Sequence, residues 1–323
     1  MKYPDFIKKN QLIAVHAGSY PIGEKWPEYQ RSLRYFKDYQ IIEASSCKSL
    51  DLVSKEIRAQ ELADFYLNKD VKLIMAATGG DYQMEMLESF DFSLVENNLK
   101  WFCGYSDPTN IAFVITSKYD VATLYGFNAK SFTSDTLYPC YQNFFNIIKG
   151  NLIIQESFEK FESSKSWDSY DYNLDKDVRY ESLKSKEIDL QGRLIGGCFD
   201  VICNLIGTKF DNVQKFSEKY AEDGLIWFFD VYSSSASDFY LRMLQMKFAG
   251  YFNNTKLVII GRVLFKNDSS DQDFINLLKD KFDFEIIFNF DLGHTAQTMT
   301  FINGAMARVK YQNHQGSLEQ WLD

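Results

Sequence analysis

The chain has 323 residues, of which 46% are hydrophobic, and its formal net charge is −9. That length can form one large domain or two ordinary ones, each with its own core. The acidic balance argues against nucleic acid and against an anionic membrane surface as partners. No run reaches the roughly 18 apolar residues that span a bilayer, and the N-terminal apolar run is too short for a signal peptide. We therefore expect a cytoplasmic protein.

The five cysteines predict buried, reduced thiols. Their number is odd and none forms a CxxC pair, which argues against a disulfide framework and against a zinc site. The sequence also lacks an HExxH motif, and its glycine pairs match neither the dinucleotide-binding nor the P-loop pattern. The chain is therefore expected to use no metal and no cofactor.

Short apolar runs alternate with longer segments of helical spacing. Strands are predicted over 12–15, 71–78, 100–105, 225–230, 256–261 and 285–290. Helices are predicted over 51–67, 109–118, 142–149, 237–250 and 271–281. Repeated strand-then-helix order indicates an α/β protein with a parallel sheet covered by helices.

The segment 157–192 differs from the rest because it is rich in Ser, Asp, Lys and Tyr and has little periodicity. It predicts a connector, with room for an exposed hairpin, between a domain over 1–156 and a domain over 193–323. The tail, 313–323, is expected to form a short helix or a frayed end.

The stretch "FCGYSDPTN" (102–110) places Ser106 in a short turn between a predicted strand and a predicted helix. Such a turn lies at the carboxyl edge of the sheet, where ligands of open α/β sheets bind. Asp107 is expected to cap the helix, with Pro108 in its first turn. The turn could aim the Ser106 hydroxyl at a cleft. An ordinary cap without a catalytic role is the alternative, since the pattern is not GxSxG.

Other strand ends carry complementary chemistry. "ATGGD" (77–81) follows a predicted strand, and its glycines could supply an oxyanion-hole N–H or simply form a tight turn. Asp230 ends one strand, and His294, one of only three histidines, follows another. Either could be merely structural. Together with Ser106 they provide the three parts of an activated nucleophile system.

Five segments, in order, resemble the serine LD-carboxypeptidases, a family that includes the microcin self-immunity peptidases. The segments are "GGDYQMEMLESFDF", "KWFCGYSDPTNIAFVI", "GGCFDVICNLIGTKFD", "GLIWFFDVYSSSASDFYLRMLQMKFAGYF" with "IIGRVLF", and "FNFDLGHTAQTMTFINGAMARV". The resemblance covers nearly the whole chain. It implies a flavodoxin-like N-terminal domain with a parallel sheet, a C-terminal α/β domain, and a homodimer.

The resemblance also implies a reaction and its residues. The reaction is hydrolysis of the amide before a C-terminal D-amino acid, usually in a muropeptide tetrapeptide stem during peptidoglycan recycling. Ser106 matches the nucleophile and His294 the base, and Asp230 stands where the family normally has glutamate. Backbone N–H groups of Gly80 and Asp107 are expected to form the oxyanion hole.

The aspartate is shorter than glutamate by roughly 1.3–1.5 Å of reach, so the rate should suffer unless the backbone compensates. Two alternatives stay open: a self-immunity-type peptidase that cleaves a peptidyl-nucleotide amide, and a peptide-binding pseudoenzyme impaired at Asp230. A carboxypeptidase must also bind a free carboxylate, for which Arg262 and Arg242 are candidates, although an exposed arginine is expected there.

Overall fold

A computed structural model describes residues 1–164 and 169–323, and the chain divides into two compact units. The first comprises Met1–Asn151, residues 169–171 and Thr300–Asn303. The second comprises residues 152–164, Tyr172–Met299 and Gly304–Asp323. This is the two-domain α/β organisation that was expected.

In the described part of the chain, the strands are β1 (Leu12–His16), β2 (Gln40–Glu43), β3 (Val71–Ala76), β4 (Trp101–Gly104), β5 (Thr123–Tyr125), β6 (Gln155–Glu156), β7 (Lys160–Phe161), β8 (Lys176–Asp177), β9 (Glu181–Ser182), β10 (Glu187–Cys198), β11 (Leu225–Asp230), β12 (Thr255–Gly261), β13 (Glu285–Phe290), β14 (Phe301–Asn303), β15 (Met306–Gln312) and β16 (Gln315–Trp321). The α-helices are α1 (Trp26–Ser32), α2 (Lys55–Leu67), α3 (Ser93–Asn97), α4 (Thr109–Tyr119), α5 (Pro139–Ile148), α6 (Phe199–Leu205), α7 (Val213–Lys219), α8 (Ala236–Phe248) and α9 (Asp271–Leu278). Short 3-10 helices cover Gly23–Lys25, Leu33–Phe36, Ser45–Lys48, Gln83–Glu88 and Ala129–Ser131.

The first unit is built on a six-stranded sheet of order β14-β5-β4-β3-β1-β2. Its strands run parallel except β14, which pairs antiparallel with β5. The order β2-β1-β3-β4-β5 is that of flavodoxin-like folds, with the switch of direction between β1 and β3. The flavodoxin-like prediction is confirmed. Loops after β1, β3 and β4 therefore lie at the edge where such folds bind ligands.

Burial explains why the turn after β4 is rigidly placed. All four residues of β4 are buried, and the buried residues of α4 run from Thr109 to Ser117. A helix that is apolar nearly all round belongs to a core rather than to a surface. The intervening turn is therefore held between two buried elements.

The second unit contains an eight-stranded sheet of order β6-β16-β15-β10-β11-β12-β13-β9. Its centre, β10 to β13, is parallel, whereas β15 pairs antiparallel with β10. The carboxyl ends of the parallel strands share one edge. Asp230, the last residue of β11, lies there opposite Cys198 of β10.

Differences from what the sequence pattern predicts include β14, the expected connector and the tail. β14 completes the first unit's sheet although it follows most of the second unit in sequence. The expected connector contains the small β7–β8 hairpin and the start of β10, while its residues 165–168 lie outside the described ones. The prediction for the tail is wrong: β16 pairs antiparallel with β15 and Leu318 is buried, because Asn313 and His314, both with positive φ, form the two-residue turn of a hairpin.

All five cysteines are free and buried. Among the helices that the structure describes, none has the length and apolar character needed to cross a membrane.

We predict that Ile302→Ala lowers the first unit's free energy of unfolding by about 2–4 kcal/mol, because Ile302 is fully buried in β14. Urea denaturation of the full chain measures the loss. Ile154→Ala, at a side chain that is 53% exposed, is the matched control and should change stability little. Equal effects of the two variants would mean that β14 does not stabilise the first unit's sheet.

His16, at the end of β1, is fully buried, and its Nε2 donates to the carbonyl oxygen of Arg58 at 2.8 Å. Burial lowers the pKa of His16 from 6.5 to about 4, and the hydrogen bond to Arg58 opposes that shift. The folded state therefore favours the neutral imidazole.

We predict that His16 stabilises the folded state in an acid-sensitive way. Its contribution to the free energy of unfolding is fully present above pH 6.5. The contribution is lost as the pH falls towards 4, because only the unfolded chain gains the proton in that range. The loss is about 3 kcal/mol. Between these pH values, the free energy of unfolding should depend less steeply on pH in His16→Gln than in the wild type. His314→Gln, at a partly exposed site, is the control, and an unchanged slope in His16→Gln would contradict the prediction.

Candidate active site

In the first unit, Ser106 lies in the turn between β4 and α4 with its backbone in the left-handed region, at φ +67°. A non-glycine residue adopts this conformation rarely, and such strain concentrates at functional sites. The Ser106 N–H donates to the hydroxyl of Tyr125 at 3.3 Å, and the residue is half-buried. The turn thus presents the serine at the carboxyl edge of the sheet.

Two neighbours hold this turn. The Asn128 side chain accepts from the N–H of Tyr105 at 3.1 Å and donates to its carbonyl at 3.4 Å. On the other side, a Cβ at Gly79 would lie 3.2 Å from the Ser106 Cβ and 3.3 Å from its Oγ. The glycine of "ATGGD" therefore lets the loop after β3 approach the serine closely.

Asp107 does not act as the predicted N-cap. α4 begins at Thr109 with Pro108 at the cap position, and the Asp107 side chain is buried. Its carboxylate accepts hydrogen bonds from Ser19 Oγ, from the Gln83 N–H at 2.8 Å and from Asn110 Nδ2 at 2.7 Å. It thereby fastens the loops after β1 and β3 to the serine turn.

The protonation of Asp107 is governed by opposing effects. Burial raises the pKa of this carboxyl, while the hydrogen bonds from Ser19 and Gln83 counteract the rise. Within the described residues, neither the N–H of Asp107 nor that of Gly80 donates to a protein acceptor.

In the second unit, His294 follows β13 and its Nδ1 lies 2.9 Å from Oδ1 of Asp230. Asp230 is fully buried at the end of β11, and the His294 side chain is only 7% exposed. The ring of Tyr232 packs against the imidazole, with centroids 4.8 Å apart. This is the arrangement in which a carboxylate orients an imidazole.

Gly293 makes that contact possible. Its φ is +107°, and a Cβ at this position would lie 2.1 Å from Asp230 Oδ1. Its N–H donates to Thr298 Oγ1 at 3.0 Å. Only glycine lets the loop pass this close to the carboxylate.

The expectation that Arg262 is exposed is wrong. It is 4% exposed, directly after β12, and four of its N–H groups donate to neighbouring residues of the same unit. It therefore cannot serve as a ready binder of a substrate carboxylate. Arg242, on α8, is half-buried. Burial raises the pKa of Asp200, and the positive charge of Arg242 partly opposes that rise.

The structure thus contains two clusters, each within one unit. Ser106, Gly80 and Asp107 belong to the first unit, and Asp230 with His294 belongs to the second. The sequence alone assigned no role to Asn128 or Gly293, although the "GH" dipeptide after a strand could have indicated a role for Gly293. Across residues 1–164 and 169–323, no group of three or more His, Cys, Asp or Glu is arranged to hold a metal ion.

Solved structures share this fold. An MccF-like protein from Bacillus anthracis superimposes with a TM-score of 0.87 over all of both chains at 21% identity. A muramoyltetrapeptide carboxypeptidase from Oxalobacter formigenes superimposes with a TM-score of 0.74, covering 97% of this chain and 99% of that one at 19% identity. At such identities the likeness concerns the fold.

Sequence comparison identifies the family. A Bacillus subtilis relative named "Putative carboxypeptidase YocD" is 26% identical over 290 residues, or 87% of this chain and 85% of the relative. Residues 13–126 match the LD-carboxypeptidase N-terminal domain, and residues 191–309 match the LD-carboxypeptidase C-terminal domain. These matches span most of the chain and both units, and the protein therefore belongs to the LD-carboxypeptidase family of peptidases.

Proposed function

We propose that the protein is a serine carboxypeptidase that hydrolyses the amide bond to a C-terminal D-amino acid. Ser106 would act as the nucleophile, His294 as the base and Asp230 as the group that orients it. The substrate we propose is the tetrapeptide stem of a muropeptide, which would lose its terminal D-alanine during peptidoglycan recycling.

The observation that carries this proposal is the buried contact between Asp230 Oδ1 and His294 Nδ1. A neutral imidazole held in this way carries its proton on Nδ1, so Nε2 is unprotonated and can act as a base. The strained serine turn of the first unit supports the nucleophile assignment, since a left-handed serine between strand and helix lifts its hydroxyl out of the backbone.

The reaction would proceed in two steps. As the Ser106 oxygen attacks the scissile carbonyl carbon, His294 takes the hydroxyl proton and then passes it to the departing amine of the D-residue. His294 next removes a proton from water as the water oxygen attacks the acyl-enzyme ester, and it returns that proton to the Ser106 oxygen as the ester bond breaks, which releases the shortened peptide with a new C-terminal carboxyl group. The tetrahedral intermediate of each step carries a negatively charged oxygen.

The N–H groups of Gly80 and Asp107 would stabilise that oxygen. Loss of one such donor typically raises a barrier by about 3–4 kcal/mol. The buried Asp107 carboxylate supports this role indirectly, because its bonds to Ser19 and Gln83 fix the loops around both donors. Preorganised donors need no rearrangement when the charge develops.

The proposed substrate is supported by the family to which the chain belongs and by the names of proteins that it resembles. One structure of the same fold is a muramoyltetrapeptide carboxypeptidase. Another is the microcin C7 self-immunity protein bound to aspartyl sulfamoyl adenosine, which keeps a peptidyl-nucleotide substrate as the competing outcome of the test.

The contact made by Asp230 speaks against the pseudoenzyme alternative. Its shorter side chain reaches His294 at an ordinary hydrogen-bond distance, and Gly293 leaves little space around Oδ1. The aspartate therefore reaches the imidazole without the extra methylene of glutamate.

We predict that the wild-type protein releases D-alanine from the tetrapeptide and that Ser106→Ala lowers the rate at least about 10³-fold, because the nucleophile is gone. Released D-alanine is the measured quantity. Ser89→Ala, at an exposed serine of the same unit, is the matched control and should retain full activity.

Two further substrates make this test decisive. A tetrapeptide ending in L-alanine should resist hydrolysis if the site selects a D-residue. Cleavage of an aminoacyl sulfamoyl nucleotide in place of the tetrapeptide would favour the self-immunity reaction. D-alanine release that survives Ser106→Ala would refute the proposed mechanism.

We predict that Asp230→Asn lowers kcat about 10³- to 10⁴-fold with a small change in KM, because the amide no longer selects the Nδ1–H tautomer. Asp230→Glu should also lower kcat, since the longer side chain must crowd the Gly293 backbone. Steady-state kinetics on the tetrapeptide measures both. A higher kcat in Asp230→Glu would mean that the aspartate impairs the enzyme.

A further inference from the structure

Arg262 forms an unusually complete set of contacts with the segment that carries His294. Its Nε donates to Thr295 Oγ1 at 2.9 Å, and Nη2 donates to the carbonyl of Gln297 at 2.9 Å. Nη1 donates to Asp291 Oδ1 at 2.6 Å and to the carbonyl of Asn289 at 3.4 Å. Two of these acceptors precede His294 in the chain and two follow it, so one guanidinium holds the loop on both sides of the histidine.

The ion pair inside this network is fully enclosed. The side chains of Arg262 and Asp291 are 5% and 0% exposed. The second carboxylate oxygen of Asp291 accepts from the Phe158 N–H at 2.8 Å and from the Tyr180 hydroxyl at 2.6 Å. The guanidinium also lies 4.4 Å from the ring centroid of Phe161. A buried pair with all these bonds has one geometry, whereas a half-satisfied pair would be destabilising.

Only arginine can make these contacts from one position. The planar guanidinium carries five N–H donors in a fixed fork, whereas lysine carries three donors on a single nitrogen. A lysine would retain the charge beside Asp291 but could not reach Thr295 and Gln297 at the same time. The geometry therefore calls for the shape of arginine as well as for its charge.

We propose that Arg262 is a positioning residue that, by holding the segment 289–297, keeps His294 Nδ1 against Asp230 and so selects the tautomer with the proton on Nδ1. The catalytic consequence rests on the proposed function, but the tautomer does not. Among the described residues of the second unit, the charged and titratable groups beside this segment, besides Arg262, include Asp230 from β11, Tyr232 beside the ring, Asp291 from its own loop, Tyr180 from the chain before β9, Asp271 from α9, which accepts from Asn289, and Glu162 after β7, whose N–H donates to Ala296.

The test measures the tautomer directly by NMR of protein labelled with ¹⁵N-histidine, because the ¹⁵N shift separates a protonated ring nitrogen from a bare one. The measurement is made well above the ordinary histidine pKa of about 6.5. The chain has only three histidines, so His294→Gln assigns the signal. We expect Nδ1–H in the wild type and a shift towards Nε2–H in Arg262→Lys, with kcat lowered about 10- to 100-fold and KM little changed.

Arg193→Lys is the matched control. Arg193 is also 4% exposed and also pairs with a carboxylate and a carbonyl, those of Asp223 at 2.7 Å and Gly304 at 2.6 Å. It stands opposite Leu225, at the other end of β11 from Asp230. This change should lower stability without altering the His294 tautomer or the ratio of kcat to KM.

If Arg262→Lys fails to fold, a double variant still tests the proposal. Arg262→Met with Asp291→Asn removes both buried charges together, which proteins tolerate far better than the loss of one partner. A folded double variant with a mixed tautomer supports the proposal. An unchanged Nδ1–H signal in Arg262→Lys and in the double variant, or an Nε2–H signal in the wild type, overturns it. Absence of D-alanine release by the wild type would instead refute the proposed function and leave the tautomer result standing.

Discussion

The hydrogen bond between Asp230 and His294 is the contact on which the chemistry proposed for this protein depends. A lone imidazole in water exchanges its proton between two nitrogens, but one bonded to a buried carboxylate holds it on the nitrogen that faces the acid. The sheet of the second unit supplies the carboxylate at the end of β11, and the loop after β13 supplies the ring. Gly293 in that loop lets it pass close to the carboxylate, and the guanidinium of Arg262, which follows β12, donates to Thr295 next to the histidine.

Two buried aspartates, Asp107 and Asp291, accept hydrogen bonds that hold together the loops following parallel strands. Asp107 joins the loops after β1 and β3 to the serine turn, and Asp291 joins the loop after β13 to Arg262. Enclosing a carboxylate is unfavourable by several kcal/mol unless donors surround it. Asp107 accepts hydrogen bonds from Ser19, Gln83 and Asn110, and Asp291 accepts them from Arg262, Phe158 and Tyr180. Each carboxylate is therefore held in one stable arrangement. Rigid loops at a strand edge are what a reaction sensitive to ~1 Å displacements requires.

The sequence predicts the centre of the first sheet and strands β11 to β13 of the second, but it misses β10, the 12-residue strand at the centre of the second sheet, and the margins of both sheets. Six apolar runs correspond to β1, β3, β4, β11, β12 and β13, because buried parallel strands are continuous apolar segments. β2 and β5 are short and were missed. β14 was missed because its pairing with β5 joins residues far apart in sequence, which no local pattern encodes. At the site, strand ends pointed to Ser106, Asp230 and His294, whereas the roles of Asn128 and Arg262 depend on hydrogen bonds between distant residues.

The aspartate at position 230 shows why a departure from a family pattern must be judged with its surroundings. Judged alone, the loss of one methylene withdraws the carboxylate from its histidine. In the structure Asp230 Oδ1 nevertheless lies 2.9 Å from His294 Nδ1. The loop comes so near that a Cβ at Gly293 would lie 2.1 Å from Oδ1, so the glycine before the histidine lets the contact form. An aspartate is therefore long enough to orient the imidazole in these surroundings, whatever its reach judged alone.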